Sequence, residues 1–115
     1  MNVKLSLPTT HSATIVKANL LRRIRNNEIP TWSYTRSNEN DDVIFHNPSQ
    51  YIEDPEKNVI FTVELNQSDN SILFSSNWWS QNPVPNEQQI LHHVARLGEM
   101  LLKNFYNSGF KIVIS

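Results

Sequence analysis

Four histidines, His11, His46, His92 and His93, are the side chains of this chain best suited to acid–base or metal chemistry. Imidazole titrates near neutral pH and is a common metal ligand. A zinc site needs three or four ligands that converge within about 2.0–2.2 Å of the metal. His92 and His93 are neighbours in a helical pattern, where consecutive side chains point roughly 100° apart. We therefore expect no metal site and no cofactor.

One histidine and two carboxylates occur close together in the middle of the chain. His46 follows Asp41 and Asp42 across a short apolar segment. General acid–base catalysis needs such groups within hydrogen-bond reach in a cleft, with a shifted pKa. A histidine at a strand end beside a polar loop explains the same residues without catalysis. A small enzyme with a His–carboxylate site at His46 is therefore kept as an alternative function.

Motifs for covalent and nucleotide chemistry are absent from the sequence. There is no G-x-S-x-G nucleophile elbow and no glycine pattern for binding phosphates or dinucleotides, and the chain has only two glycines. It has no cysteine, which excludes disulfides, thiol nucleophiles and cysteine-ligated zinc. We therefore expect a protein that is not an enzyme, and the lack of cysteine agrees with a cytoplasmic location.

The strongest chemical signal is a run of acidic side chains. From Glu39 to Asp69 the chain has eight carboxylates and one lysine, a local charge of −7, whereas the whole chain carries −1. Such a run is often only a solvated face. It is also a docking surface for a cationic partner, provided that aromatic side chains anchor the contact. The predicted partner contacts are Glu39, Asp41, Asp42, Tyr51, Glu53, Asp54, Glu56 and Trp78.

A basic protein fits this surface best. Proteins that act on nucleic acids are often basic, and a small acidic protein can block them by mimicking phosphate charge. We therefore predict a small soluble protein that inhibits or neutralises a basic partner such as a toxin or nuclease, for example a bacterial toxin immunity protein or a phage-encoded inhibitor. A further alternative is an oligomeric structural subunit that self-associates through an edge strand or an exposed tryptophan.

Direct binding of nucleic acid has a weaker basis. Arg22, Arg23 and Arg25 form a small basic group, whereas phosphate binding normally requires a clearly basic face. Trp78 and Trp79 can stack on bases, but a small core uses tryptophan as well. We expect one of these two in the core and the other partly exposed, and we expect no nucleic-acid partner.

Two segments have apolar residues at three- and four-residue spacing, which predicts amphipathic helices. The first has Thr9 or Thr10 as its N-cap. The second runs over about residues 87–106, where Asn86 and Gln89 resemble a capping box. Its solvated face carries His92, Arg96, Glu99 and Lys103.

Alternating apolar and polar residues or short apolar runs predict strands at residues 3–7, 31–36, 43–46, 58–65, 71–77 and 110–114. The order is β-α-β-β-β-β-α-β, with too few helices for a doubly wound parallel sheet. We therefore predict an α+β two-layer sandwich, in which two helices cover one face of a mainly antiparallel sheet of about five to six strands. The 115 residues fit one domain, 1–115, with neither a membrane span nor a signal peptide.

Overall fold

Six strands form one antiparallel sheet in the computed structural model, which describes residues 1–48, 59–80, 82–106 and 109–115. The strands are β1 (Asn2–Ser6), β2 (Trp32–Arg36), β3 (Asp42–His46), β4 (Val59–Asn66), β5 (Ser71–Trp78) and β6 (Lys111–Ile114). The helices are α1 (Ala13–Arg25) and α2 (Glu87–Phe105). The order across the sheet is β2-β3-β4-β5-β1-β6. The predicted α+β fold and the predicted order of elements are confirmed.

The sheet has a helix face and a back face, because successive side chains of a strand point to opposite sides. On the helix face, Val3 lies opposite Phe74, and Phe61 lies opposite Ile44. These side chains join apolar residues of both helices in one buried cluster. Burial stabilises by about 25 cal/mol per Å² of apolar surface, so this cluster contributes most of the folding energy. The back face carries Lys4, Val43, Phe45, Ile60, Thr62, Glu64 and Leu73.

The apolar stripe of α1 is confirmed, but its predicted start is wrong. Ser12, and not Thr9 or Thr10, is the N-cap, and its side chain accepts the backbone N–H of Ile15 at 3.4 Å. The side chains that α1 buries against the sheet are Ala13, Leu20, Leu21 and Ile24. Three arginines occupy the last turn, where the helix dipole favours positive charge.

The late start of α1 is caused by Asn70, in the turn between β4 and β5. Its Oδ1 accepts the N–H of Ala13 at 2.9 Å. Its Nδ2 is placed to donate to the carbonyl oxygens of Leu7, Pro8 and His11, at 3.4, 3.1 and 2.8 Å. Asn70 has a φ of +52°, a left-handed conformation that asparagine tolerates. These contacts hold the segment before α1 as a turn, so the helix begins only after it.

The capping box of α2 is confirmed in both directions. The side chain of Asn86 accepts the N–H of Gln89, and the side chain of Gln89 accepts the N–H of Asn86, each at 2.8 Å. The side chains that α2 buries are His93, Val94, Leu97, Met100 and Leu101. In the described residues, neither this helix nor α1 carries an apolar stretch long enough to span a bilayer.

Candidate functional site

Asp41 and Asp42 are adjacent in sequence but belong to opposite faces of the sheet. Asp42 begins β3 on the helix face, opposite Arg36 of β2 and Val63 of β4. When the β3–β4 register is continued by one residue, Asp41 lies beside Glu64 on the back face. The two carboxylates therefore have different surroundings, although they count equally in the charge of the chain.

Asp42 is held by three side chains of the same protein. The hydroxyl of Tyr34 donates to its Oδ1 at 2.7 Å, the Nζ of Lys17 donates to its Oδ2 at 3.0 Å, and Arg36 lies at 3.7 Å. Burial of Asp42 alone would raise its pKa. The hydrogen bonds from Tyr34 and Lys17, with the charges of Lys17 and Arg36, outweigh burial and lower that pKa below its ordinary value. Asp42 thus joins α1 to the sheet.

Asp69, in the β4–β5 turn, is also balanced within the chain. Its carboxylate forms an ion pair with Lys4 and accepts a hydrogen bond from the hydroxyl of Ser71. The hydrogen bond from Lys4, followed by that from Ser71, lowers the pKa of Asp69. The charges of Asp42 and Asp69 are therefore compensated by lysines and an arginine of the same protein.

Three other carboxylates, Glu39, Asp41 and Glu64, form what we call the acidic edge. Glu39 and Glu64 are exposed and Asp41 is partly exposed. Within the described ranges, none of the three lies within ion-pair distance of a cationic side chain. The hydroxyl of Ser37 accepts the N–H of Glu39 at 3.2 Å and that of Asp41 at 3.0 Å. The turn that carries two of these carboxylates is thus ordered by its own hydrogen bonds.

The other predicted contacts are not all at this edge. Tyr51, Glu53, Asp54 and Glu56 lie outside the described residues. Trp78 ends β5 on the helix face, opposite Val59, and is 38% exposed. It is five residues from Leu73, the cross-strand partner of Glu64, which corresponds to about 16 Å along the strand. The face of the sheet, and not the distance along the strand, therefore separates Trp78 from the acidic edge.

The aromatic residue that does lie towards the back face is Trp79. Its ring centroid is 6.5 Å from that of Phe45, in an edge-to-face arrangement. Trp79 is half-buried and Trp78 is exposed, so the expectation that one of the two is a core residue is wrong. Trp78 is the last residue of β5, and Trp79 follows the strand. The alternation of extended neighbours was the signal that could have selected Trp79.

His46 ends β3 on the helix face, far from the carboxylates with which the sequence grouped it. Its ring centroid is 5.4 Å from that of Trp32 and 6.1 Å from that of His93. Asp42 lies at the other end of the same strand, about 13 Å away, and Asp41 lies beyond it. The structure does not bring this His–carboxylate set together. In the described part of the chain, no group of three or more His, Asp or Glu residues could hold a metal ion.

Trp32 and His46 form the floor of a cleft of about 720 Å³ between the two helices, which we call the interhelical cleft. Its walls carry Arg23 and Glu28 on one side and His92, Arg96, Glu99 and Lys103 of α2 on the other. The four residues of α2 are exposed, which confirms their predicted solvated face. Sequence reasoning missed the cleft because its walls come from segments far apart in the chain.

No protein-family model, curated protein or solved structure matches this chain. We therefore derive function from the charged and aromatic side chains described above. Two surfaces offer chemistry of different kinds: the back face with its acidic edge, and the interhelical cleft with its cationic walls.

Proposed function

We propose that this protein binds a basic protein through its back face and neutralises it, as a toxin immunity protein or a phage-encoded inhibitor does. The observation that carries the proposal is the acidic edge. Among the described residues, Glu39, Asp41 and Glu64 have no cationic partner, whereas Asp42 and Asp69 have theirs. Uncompensated charge of one sign attracts an oppositely charged protein and raises its association rate.

The same face also supplies the apolar contact that charge alone lacks. Phe45 and Trp79 are both partly exposed, with ring centroids 6.5 Å apart. Val43 and Ile60, on the same face, are buried and support that side of the sheet. Stable interfaces combine aromatic anchors at the centre with charged groups at the rim. The back face is thus suited to a basic partner that also presents an apolar patch.

The remaining predicted contacts relate to the back face in different ways. Tyr51, Glu53, Asp54 and Glu56 stay predicted contacts. Trp78 lies on the other face and is not part of the surface. A cytoplasmic location agrees with the absence of cysteine and stays a prediction.

Charge reversal of the acidic edge tests the proposal. The variant Glu39→Lys/Asp41→Lys/Glu64→Lys is compared with Glu28→Lys/Glu87→Lys/Glu99→Lys, which changes the net charge equally on the helix side. Both proteins and the wild type are immobilised and exposed to host lysate, and retained proteins are identified and titrated. We expect the wild type and the helix-side variant to retain the same basic protein. The acidic-edge variant should bind that protein at least tenfold more weakly, about 1.4 kcal/mol.

The salt dependence of the same interaction separates charge from apolar contact. Raising the ionic strength from about 0.1 M to about 1 M shortens the screening length from about 10 Å to about 3 Å. Binding led by the acidic edge should weaken at least tenfold over this range. The proposal is overturned if no basic protein is retained, or if the two triple variants bind it equally well.

Self-association stays a separate prediction for the two edge strands. In the described residues, β2 and β6 each pair with one strand only. Sedimentation of the purified protein at high micromolar concentration tests this alternative. A monomer at that concentration would count against self-association, whereas a dimer would support pairing through the edge strands β2 or β6.

A further inference from the structure

The interhelical cleft lies on the helix face of the sheet, away from the acidic edge and without a role in the proposed docking surface. Its volume of about 720 Å³ falls in the range typical of sites for small molecules, roughly 300–1,000 Å³. The cleft combines an aromatic floor with cationic walls. Each of these parts restricts the chemistry of a ligand in a different way.

The floor of the cleft is built from flat rings. Trp32 and His46 are cross-strand partners, with ring centroids 5.4 Å apart and ring planes inclined at 52°. His93 is buried behind His46, and His92 follows it on α2 with a centroid distance of 5.4 Å. Aromatic surfaces of this kind favour a planar ring, which gains both stacking and apolar burial. Trp32 is only 5% exposed, so most of the ring surface that a ligand can reach on this floor belongs to the partly exposed His46, and that surface favours an aromatic ligand over an aliphatic one.

Positive charge faces the cleft from both helices. Arg23 of α1 donates from Nη2 to the Oδ1 of Asn104 at 2.9 Å, which fixes the guanidinium across to α2 without neutralising it. Lys103, next to Asn104, has no ion-pair partner among the residues that the structure describes. These two cations therefore line the same cleft from different helices, and neither has an ion-pair partner among the described residues.

The other charges of the cleft do not cancel this pair. Arg96 and Glu99 neutralise each other through a contact of 2.9 Å on the surface of α2. An exposed pair of this kind contributes little stability, so Arg96 can turn towards an incoming anion at small cost. Glu28 is the one lining carboxylate of the described residues without a cation in ion-pair distance. The lining thus has a net positive charge.

We infer that the interhelical cleft binds a small aromatic anion: a planar ring against His46 on the floor of the cleft, and a phosphate or carboxylate between Arg23 and Lys103. A guanidinium and an ammonium on opposite walls suit a group with several acceptor oxygens, because each cation can bind a different oxygen. The volume accommodates a molecule of the size of a mononucleotide. The anion completes a bridge between α1 and α2 that the Arg23–Asn104 bond begins.

Calorimetric titration with four probes tests each part of this inference. Adenosine 5′-monophosphate carries ring and phosphate, adenosine carries the ring alone, and inorganic phosphate carries the anion alone. Indole-3-acetate carries a ring and a carboxylate. We expect adenosine 5′-monophosphate or indole-3-acetate to bind at least tenfold more tightly than adenosine and phosphate. Equal affinity for adenosine and its monophosphate would overturn the role of the cations.

A matched pair of lysine variants assigns the binding to this cleft. Lys103→Gln removes one exposed cation of the cleft, and Lys111→Gln removes an exposed lysine of β6 that lies outside it. We expect at least fivefold weaker binding of the preferred probe for Lys103→Gln and no change for Lys111→Gln. Equal effects of the two variants, or affinities weaker than about 1 mM for all four probes, would overturn the inference.

The acidic-edge variant Glu39→Lys/Asp41→Lys/Glu64→Lys separates the two proposals. Its substitutions lie outside the cleft, so it should bind the preferred probe as the wild type does. If the wild type retains no basic protein and yet binds the probe, only the proposed function fails. If this variant lost probe binding while remaining folded, the cleft would not be the site of the ligand.

Discussion

The two faces of the sheet contain similar residue types but differ in how deeply these residues are buried. On the helix face, Phe61 and Phe74 are fully buried in one cluster with both helices. On the back face, Phe45 and Leu73 remain partly exposed, and Glu64 is exposed. Alternation along the strands therefore places the core shared with both helices on one face, whereas the other face combines the buried Val43 and Ile60 with exposed and partly exposed side chains.

The carboxylates show the same difference over a distance of one residue. Asp42, on the helix face, is bound by Lys17 and Tyr34, whereas Asp41 has no ion-pair partner in the described residues. A charge count treats both residues alike. Their positions on opposite faces explain why Asp42, and not Asp41, pairs with cations of the described residues.

Truncation of one phenylalanine on each face should give the largest effects. Phe61→Ala removes a fully buried ring and should lower the free energy of unfolding by about 3–5 kcal/mol, through lost transfer energy and a cavity. Phe45→Ala removes a partly exposed ring and should cost about 1–2 kcal/mol. Chemical denaturation monitored by circular dichroism measures both. Equal losses would mean that the back face is as much a core as the helix face.

Removal of the Asn70 side chain should have an intermediate effect. Asn70→Ala loses the contacts to Ala13 and to the carbonyl oxygens before α1, and it places alanine at a positive φ. We expect a loss of about 2–3 kcal/mol in the free energy of unfolding. Asn38→Ala, in the exposed β2–β3 turn, is the matched control and should change stability by less than about 0.5 kcal/mol. Similar values for both variants would show that Asn70 does not position α1.

Neutralisation of the two adjacent aspartates should give the smallest effects and the most direct comparison of the faces. Asp42→Asn weakens the contacts with Lys17 and Arg36 and should cost about 1–2 kcal/mol. Asp41→Asn should change stability by less than about 0.5 kcal/mol. Urea denaturation at neutral pH measures both. The assignment of Asp42 to a structural role fails if Asp41→Asn is the more damaging change.

The acid dependence of the same variants provides an independent check. The pKa of Asp42 is lower in the folded protein than the ordinary value of about 3.9 expected in the unfolded chain. Its stabilising contribution is thus complete above that ordinary value and is lost as the pH falls through the folded pKa. The stability of Asp42→Asn should therefore fall less than that of the wild type when the pH is lowered below about 4. The stability of Asp41→Asn should fall as much as that of the wild type over the same range of pH.

The arrangement of secondary structure could be predicted because it depends on local periodicity. The helical stripes and the alternation of β4 are direct consequences of 3.6- and two-residue repeats. The capping box at Asn86 is likewise a short-range signal. By contrast, the start of α1 depends on Asn70, which is distant in sequence and adjacent in space. No local pattern contains that information.

From the sequence alone, the candidate site could be predicted only as a local excess of negative charge. The sequence shows a local excess of carboxylates, but not that Lys17 reaches Asp42 or that Lys4 reaches Asp69. These pairs depend on strand register and on how α1 lies over the sheet. The interhelical cleft could not be predicted for the same reason. Arg23 and Lys103 line one cleft only after both helices have packed on the sheet.

The position of β1 determines when the sheet can be completed during synthesis. β1 lies between β5 and β6, so Leu5, made early, pairs with Ile72 and Ile112, made late. The consecutive hairpins from β2 to β5 can form while β1 still lacks both partners. Closing such long loops is slow, and an unpaired apolar strand is prone to aggregation. Of the six described strands, β1 is therefore synthesised before the others and yet is among the last to enter the sheet, and a chaperone that shields it would raise the yield of folded protein.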